Sequence, residues 1–164
     1  MREEDIKDLS AFLKEFQGET DRGAALVGAA VIDERLGETL RAFMVSDKAA
    51  SPLLDGGSAP LGNFSARIEA TFALGLISEH EHRECHLIRR VRNEFAHRTH
   101  GVTFSDKKIS QLCSNLQSDL PGGRDAFVGK PRSVFINSVV LVSTALTYRA
   151  EWVARERRIT RTWS

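Results

Sequence analysis

The sequence predicts an all-helical protein, a single-domain bundle of about five or six helices, on three observations. Apolar residues recur at helical spacing along most of the 164 residues. No sustained alternation of apolar and polar residues and no two-residue hairpin signal interrupts that pattern. A chain of this length normally folds around one core. We therefore expect one helical domain over residues 1–164, with an internal loop at 46–62 and a basic helix end at 150–164.

The first two helices are predicted from their apolar stripes and their end signals. An apolar stripe runs from Ile6 to Phe16, and Gly18 stands where a helix end favours a left-handed residue. Thr20 or Asp21 can cap a second helix, whose apolar stripe continues to Phe43.

A break and a third helix follow. Residues 46–62 hold two prolines and several glycines, which predicts a loop with at most a short turn at 52–54. Asn63 can then cap a helix that directs four apolar side chains to the core: Phe64, Ile68, Phe72 and Leu76.

The fourth and fifth helices have explicit start signals. Residues 78–81 have the Ser-x-x-Glu spacing of a capping box, so a helix is expected from there to near 97–101. Ser105 or Asp106 can cap the fifth helix, which the Pro-Gly-Gly run at 121–123 ends.

The last helix is predicted to start after Pro131 and to run towards Val153. Its most apolar stretch, 134–146, is interrupted by Asn, Ser and Thr and is too short to span a bilayer. Residues 1–5 are charged and lack an apolar signal core. These features predict a cytoplasmic protein with no membrane contact.

Composition narrows the classes of function. The chain has 23 basic and 22 acidic side chains, a net charge of +1, so any nucleic-acid contact must use a local patch. Its two cysteines, Cys85 and Cys113, are too few for a disulfide framework and are expected to be buried free thiols. The sequence has neither the phosphate-binding loop nor the dinucleotide fingerprint, so no cofactor is predicted.

Five histidines cluster within residues 80–100. His82 and His86 lie four residues apart on one predicted helix face and could hold two bonds to a metal ion. The sequence forms no H-E-x-x-H motif and reveals no third ligand, so no metal site is predicted.

The run from Arg92 to His97 could cleave RNA without a metal ion. The imidazole of His97 could take the 2′-hydroxyl proton, Arg92 could hold the phosphate, and Asn93 could orient the imidazole. On an ideal helix Arg92 and His97 lie about 140° apart, so they converge only if the helix frays or a second subunit completes the pocket. A structural alternative pairs Arg92 with Glu84 or Asp106 and leaves His97 at the helix C-terminus.

Two further groups are weaker candidates. Asp21 and Arg22 could share a pocket with Arg92, although capping and an ion pair explain them as well. Basic side chains near the C-terminus, interleaved with Trp152 and Trp163, could bind nucleic acid: Arg149, Arg155, Arg157 and Arg158. A basic helix end is also favoured by the helix dipole alone. The run 33–35 is interpreted as a solvated face.

Three longer runs carry a family resemblance. Residues 51–57 (SPLLDGG), 59–68 (APLGNFSARI) and 73–77 (ALGLI) resemble motifs of the mannitol operon repressor family, in their residue pattern and in their order along the chain. The resemblance covers roughly residues 15–150. It implies an all-helical regulator without a conventional DNA-reading motif.

The Arg92–His97 run also resembles the signature of the HEPN superfamily of helical domains. That resemblance implies a dimer with both motifs at the interface, in which Arg92 would bind phosphate, Asn93 would have a positioning role and His97 would transfer protons. Other HEPN domains keep the fold and only bind nucleotides or proteins.

Together these features predict a bacterial regulator of the mannitol repressor type that acts as a homodimer through a protein partner. The first alternative is a metal-independent endoribonuclease that binds RNA through Arg92 and His97. The second is a non-catalytic interaction module. Direct DNA binding stays open.

Overall fold

The computed structural model describes residues 2–163, without the side chains of residues 4–6, 8 and 9. All regular structure in these residues is helical and none is strand, which confirms the all-α prediction. The helices are more numerous and shorter than predicted: α1 Glu3–Gly18, α2 Asp21–Phe43, α3 Asp47–Leu54, α4 Phe64–Ala73, α5 Glu79–His97, α6 Lys107–Ser114, α7 Pro131–Leu146 and α8 Arg149–Val153, with 3₁₀ turns at Arg124–Phe127 and Ala154–Glu156.

Contacts between residues divide the chain into two compact units. Unit 1 comprises Met1–Ala30 and Leu87–Leu141, and unit 2 comprises Val31–His86 and Val142–Ser164. The boundaries fall inside α2, α5 and α7, so neither unit is one continuous stretch of sequence. The single domain over residues 1–164 stays a prediction.

Unit 1 is built on packed aromatic rings. The Phe104 ring lies 4.9 Å from that of Phe95 and 5.2 Å from that of Phe135, centroid to centroid. A Cβ at Gly28 would come within 3.0 Å of the Phe16 ring and 3.1 Å of Val139, so the glycine allows a close approach. These contacts give α2 and α7 one dense core within the unit.

Unit 2 includes helix α3, which corrects the predicted loop at 46–62. The Ser46 hydroxyl caps α3 by accepting from the Ala49 amide at 3.2 Å. Pro52 lies inside α3, where its missing N–H removes one hydrogen bond. Burial of Ala50 and Leu54 against Leu40, Leu76 and Val153 offsets that loss.

The end signals that act locally were predicted correctly. Asn63 caps α4 through the Ala66 amide at 3.0 Å. Ser78 and Glu81 form both bonds of the capping box, at 3.2 and 2.7 Å. Asp106 stands at the start of α6, but its side chain makes no capping bond there.

The last predicted helix is interrupted at residues 147–148, which separate α7 from α8. The longer segment Pro131–Glu156, which contains the apolar stretch 134–146, is long and apolar enough to cross a membrane by length and composition. That is weak support for a membrane span, because the core helices of soluble proteins pass the same test. Here Phe135, Val139 and Leu146 are buried.

Both cysteines are buried and unoxidised, as predicted. Burial raises the pKa of the Cys113 thiol to about 12. The thiol is therefore neutral and unreactive near neutral pH.

Candidate functional site

The run predicted to carry catalysis lies in the last turns of α5. Arg92 and His97 are exposed, and the Arg92 guanidinium donates to the Asn93 side-chain oxygen at 3.0 Å. Helix α5 continues through His97, so the separation of about 140° between Arg92 and His97 is kept. One chain therefore does not bring these two side chains together, and Asn93 contacts Arg92.

The acids suggested as partners for Arg92 have other partners. Asp106 accepts from the Thr103 amide at 2.8 Å and from Arg98 at 3.1 Å. The Thr103 amide first, and then Arg98, hold the pKa of Asp106 below its ordinary value. Glu84 is fully buried and lies 3.7 Å from Arg83. Among the described residues, Arg92 has no acidic partner.

Asp21 and Arg22, predicted as pocket residues, hold the segment that follows α5. One Asp21 carboxylate oxygen pairs with Arg132 at 3.0 Å, and the other accepts from the Phe104 amide at 3.0 Å. The Arg22 guanidinium donates to the Arg98 carbonyl. These contacts fix the chain just beyond His97 and do not include Arg92.

Arg149, predicted to bind nucleic acid, is bound within unit 2. It makes a two-pronged pair with Glu81, at 2.6 and 3.2 Å, and donates to the Leu76 carbonyl at 2.6 Å. Burial would raise the pKa of Glu81, but the hydrogen bonds from Arg149 and Ser78 outweigh it and lower that pKa.

The remaining basic residues of the C-terminal segment differ in their contacts. Arg157 donates to the Met44 carbonyl at 3.0 Å, and the Arg158 guanidinium lies 5.7 Å from the centre of the Phe43 ring. Arg155 is exposed, as are three large apolar side chains close to it in sequence: Trp152, Ile159 and Trp163. The exposed side chains of this segment thus include both apolar and basic ones.

The run at 59–68, which carries the family resemblance, has a structural role in the fold. The Arg67 guanidinium donates to the Leu61 carbonyl at 2.9 Å, the Leu54 carbonyl at 3.1 Å and the Asp33 carboxylate at 3.1 Å. Arg67 thereby ties the turn after α3 to α2. The interpretation of residues 33–35 as a solvated face is wrong for Asp33, which is half-buried.

Two glycines make room for this arrangement. A Cβ at Gly62 would lie 2.3 Å from the Gly56 carbonyl oxygen, which backbone cannot accommodate. A Cβ at Gly37 would lie 3.2 Å from the Arg67 guanidinium. The Pro-Leu-Gly run and Arg67 thus act together to hold the turn after α3 against α2.

A third donor accompanies the histidine pair, and sequence analysis missed it. Glu69 on α4 lies close to His82 and His86, and the three ligand atoms lie within 4.8 Å of one another. Phe72, predicted to face the core, is instead 39% exposed and stacks on the His82 ring at 4.1 Å. Glu69 precedes His82 by 13 residues in another helix, so no local spacing reveals it.

Comparison with known proteins identifies the family. A family model described as mannitol repressor matches residues 32–120, more than half of the chain. The chain therefore belongs to the mannitol repressor family, as its sequence runs indicated. The matched range includes Arg67, the histidine pair and the Arg92–His97 run, and it excludes the C-terminal arginines.

Two curated relatives are mannitol operon repressors of Escherichia coli, from strain K12 and from O6:H1 strain CFT073. Each is 36% identical over 61 residues, which are 37% of this chain and 31% of the relative. The match thus spans about a third of the length of these relatives.

A solved structure shares the fold. It is a chain of the X-ray structure of the MtlR–HPr complex from Escherichia coli, with a TM-score of 0.62 and 22% identity. The match covers 87% of this chain and 97% of that chain.

Proposed function

We propose that this chain is a cytoplasmic regulator of the mannitol repressor type that acts by binding a protein partner. One observation carries this proposal: the fold is that of a chain solved in complex with HPr. Membership of the mannitol repressor family supports the regulatory role. A net charge of +1 favours a protein partner over non-specific binding to DNA.

We assign the contact surface to the C-terminal segment around Trp152 and Arg155. Tryptophan and arginine are the residue types that contribute most to protein interfaces. Trp152 is 54% exposed and Ile159 is 76% exposed. A protein partner would cover the Trp152 and Ile159 side chains, whose exposure to water is unfavourable.

Calorimetric titration with HPr from Escherichia coli tests this proposal. We expect saturable binding by the wild type, and a loss of about tenfold or more in affinity for Trp152→Ala, the size expected of a buried aromatic anchor. Val128→Ala removes an exposed apolar side chain in unit 1 and is the matched control, which should bind as the wild type does. Equal affinity for all three proteins would contradict the assignment of the contact surface to this segment. No binding by the wild type would contradict HPr as the partner.

Direct DNA binding is tested separately by titrating a labelled duplex at several salt concentrations. Phosphate contacts would give an affinity that falls steeply with salt and weakens in Arg155→Ala. The proposed mode of action predicts no such binding at physiological salt, because Arg149 and Arg157 are engaged within unit 2.

A second candidate function is a metal-independent endoribonuclease that works as a homodimer. The observation that favours it is the exposure of Arg92 and His97 together with the lack of an acidic partner for Arg92 among the described residues. In this proposal His97 takes the 2′-hydroxyl proton and Arg92 of a second copy binds the phosphate. A second copy is required because one helix holds the two side chains apart.

Cleavage of end-labelled RNA in excess EDTA tests the second candidate. An active site predicts 2′,3′-cyclic phosphate ends and a loss of about 10²–10⁴-fold in His97→Ala. His100→Ala and Arg90→Ala change exposed residues of the same types nearby and should keep wild-type activity. Absence of cleavage, or equal cleavage by His97→Ala, would contradict the ribonuclease and leave the partner-binding function untouched.

A further inference from the structure

Three donor side chains converge between α4 and the first two turns of α5, both in unit 2. The Nε2 atoms of His82 and His86 lie 3.2 Å apart. The two Glu69 carboxylate oxygens lie 3.3 Å from the His82 Nε2 and 2.9 Å from the His86 Nε2. Within the described part of the chain, these three side chains form the group able to hold a metal ion.

The 3.2 Å separation of the two imidazole nitrogens is close to that of neighbouring donors around a tetrahedral metal ion, and each nitrogen has one Glu69 oxygen at a similar distance. Zinc bonds of about 2.0–2.2 Å to nitrogen and oxygen, at tetrahedral angles, place neighbouring donors roughly 3.3 Å apart. The two imidazole nitrogens would occupy two corners of such a tetrahedron, and a Glu69 carboxylate oxygen would occupy a third. Two histidines and one carboxylate also make a recognised zinc donor set.

Neighbouring contacts hold the donors in place. His82 and His86 are one turn apart on α5, and the Phe72 ring stacks on His82 with 19° between the ring planes. The start of α5 is fixed by the Ser78 capping box and by the Arg149 pair with Glu81. Such preorganisation reduces the ordering cost of binding an ion.

The exposure of the three donor side chains shows which side of the site faces solvent. The histidine side chains are 22% and 25% exposed, whereas Glu69 is 61% exposed. An ion bound here would be reachable from solution and would have one coordination position left for water. Imidazole donors favour zinc and its neighbours over magnesium or calcium, which prefer oxygen alone.

We propose that Glu69, His82 and His86 bind one Zn²⁺ ion, with a water molecule at the fourth position. The ion joins α4 to α5 across the turn at residues 74–78. Each Nε2 atom would have to offer its lone pair to the ion and so carry no proton. The three proposed ligands are different residues from those assigned to the partner-binding surface.

The test is titration of chelator-stripped full-length protein with ZnCl₂, followed by calorimetry and by metal analysis of the dialysed product. We expect one zinc per chain and a zinc-dependent rise in the thermal midpoint. His86→Ala and Glu69→Gln should each weaken binding at least ~100-fold, since loss even of an outer-shell partner costs 10–100-fold. His80→Ala, on the exposed side of the same turn, should bind as the wild type does.

Substitution by Co²⁺ provides a readout of geometry, because a tetrahedral site gives far stronger visible absorption than an octahedral one. Glu69→Gln keeps the size of an exposed side chain, and circular dichroism verifies that each variant remains helical. Failure of the wild type to bind zinc, or equal binding by the wild type, His86→Ala and Glu69→Gln, would overturn the proposal.

Discussion

Two arginines of unit 2, Arg67 and Arg149, are largely enclosed by the fold, whereas Arg92 in the last turns of α5 is exposed. Arg67 and Arg149 are 17% and 18% exposed, and both are surrounded by carbonyl and carboxylate acceptors. Arg92 is exposed and contacts one neighbouring amide. The same residue type is thus structural in one region and available for binding in the other, and sequence spacing alone does not distinguish them.

The largest expected effect separates Arg67 from Arg92. Arg67→Ala removes the hydrogen bonds that Arg67 donates to two carbonyls and to the Asp33 carboxylate, so we expect a loss of about 3 kcal/mol in the free energy of unfolding. Arg92→Ala should change it by less than about 0.5 kcal/mol. Urea denaturation measures both free energies of unfolding. Similar losses in the two variants would contradict the distinction between a structural Arg67 and an exposed Arg92.

A smaller effect compares Arg149 with Arg155. Arg149→Ala removes the charged partner of the largely buried Glu81 carboxylate and leaves it the Ser78 amide, which should cost about 2 kcal/mol. Arg155→Ala removes an exposed side chain and should be close to neutral. If Arg149→Ala were also neutral, Arg149 would belong with the exposed arginines, and its predicted role in binding nucleic acid would gain support.

The sequence revealed the parts of the fold that depend on local signals. Asn63 and the Ser78–Glu81 capping box act within one helix turn of their own positions, and both mark helix starts correctly. Gly18 is the last residue of α1, but it does not have a positive φ, so the left-handed conformation expected there is wrong. Helix α3 was missed because Pro52 is a helix breaker in isolation, and the buried contacts that outweigh it come from other helices. Tertiary packing overrode local propensity there.

The candidate sites depend on pairings that are distant in sequence. Glu81 and Arg149 are 68 residues apart, and Arg67 and Asp33 are 34 apart, so neither pair leaves a spacing signal. Glu69 completes the donor group of His82 and His86 from another helix. Phe72 was assigned to the core on periodicity, yet it packs on His82 at the surface.

The smallest expected effect concerns pH and the segment after α5. The pKa of Asp106 is lowered in the folded chain, so its contribution to stability is present above its ordinary pKa and is lost as pH falls through the lowered value. Asp106→Asn should therefore make stability less dependent on pH in the acid range. Carbon-13 NMR of the Asp106 carboxyl group measures the pKa, and an unshifted value would contradict the Thr103 and Arg98 contacts.

Amide hydrogen exchange with and without HPr from Escherichia coli tests the central claim most directly. If the chain works by binding this protein partner, exchange should slow at residues 152–161, around the exposed Trp152 and Ile159. Unchanged exchange along the whole chain, at HPr concentrations well above that of the protein, would contradict regulation through this partner.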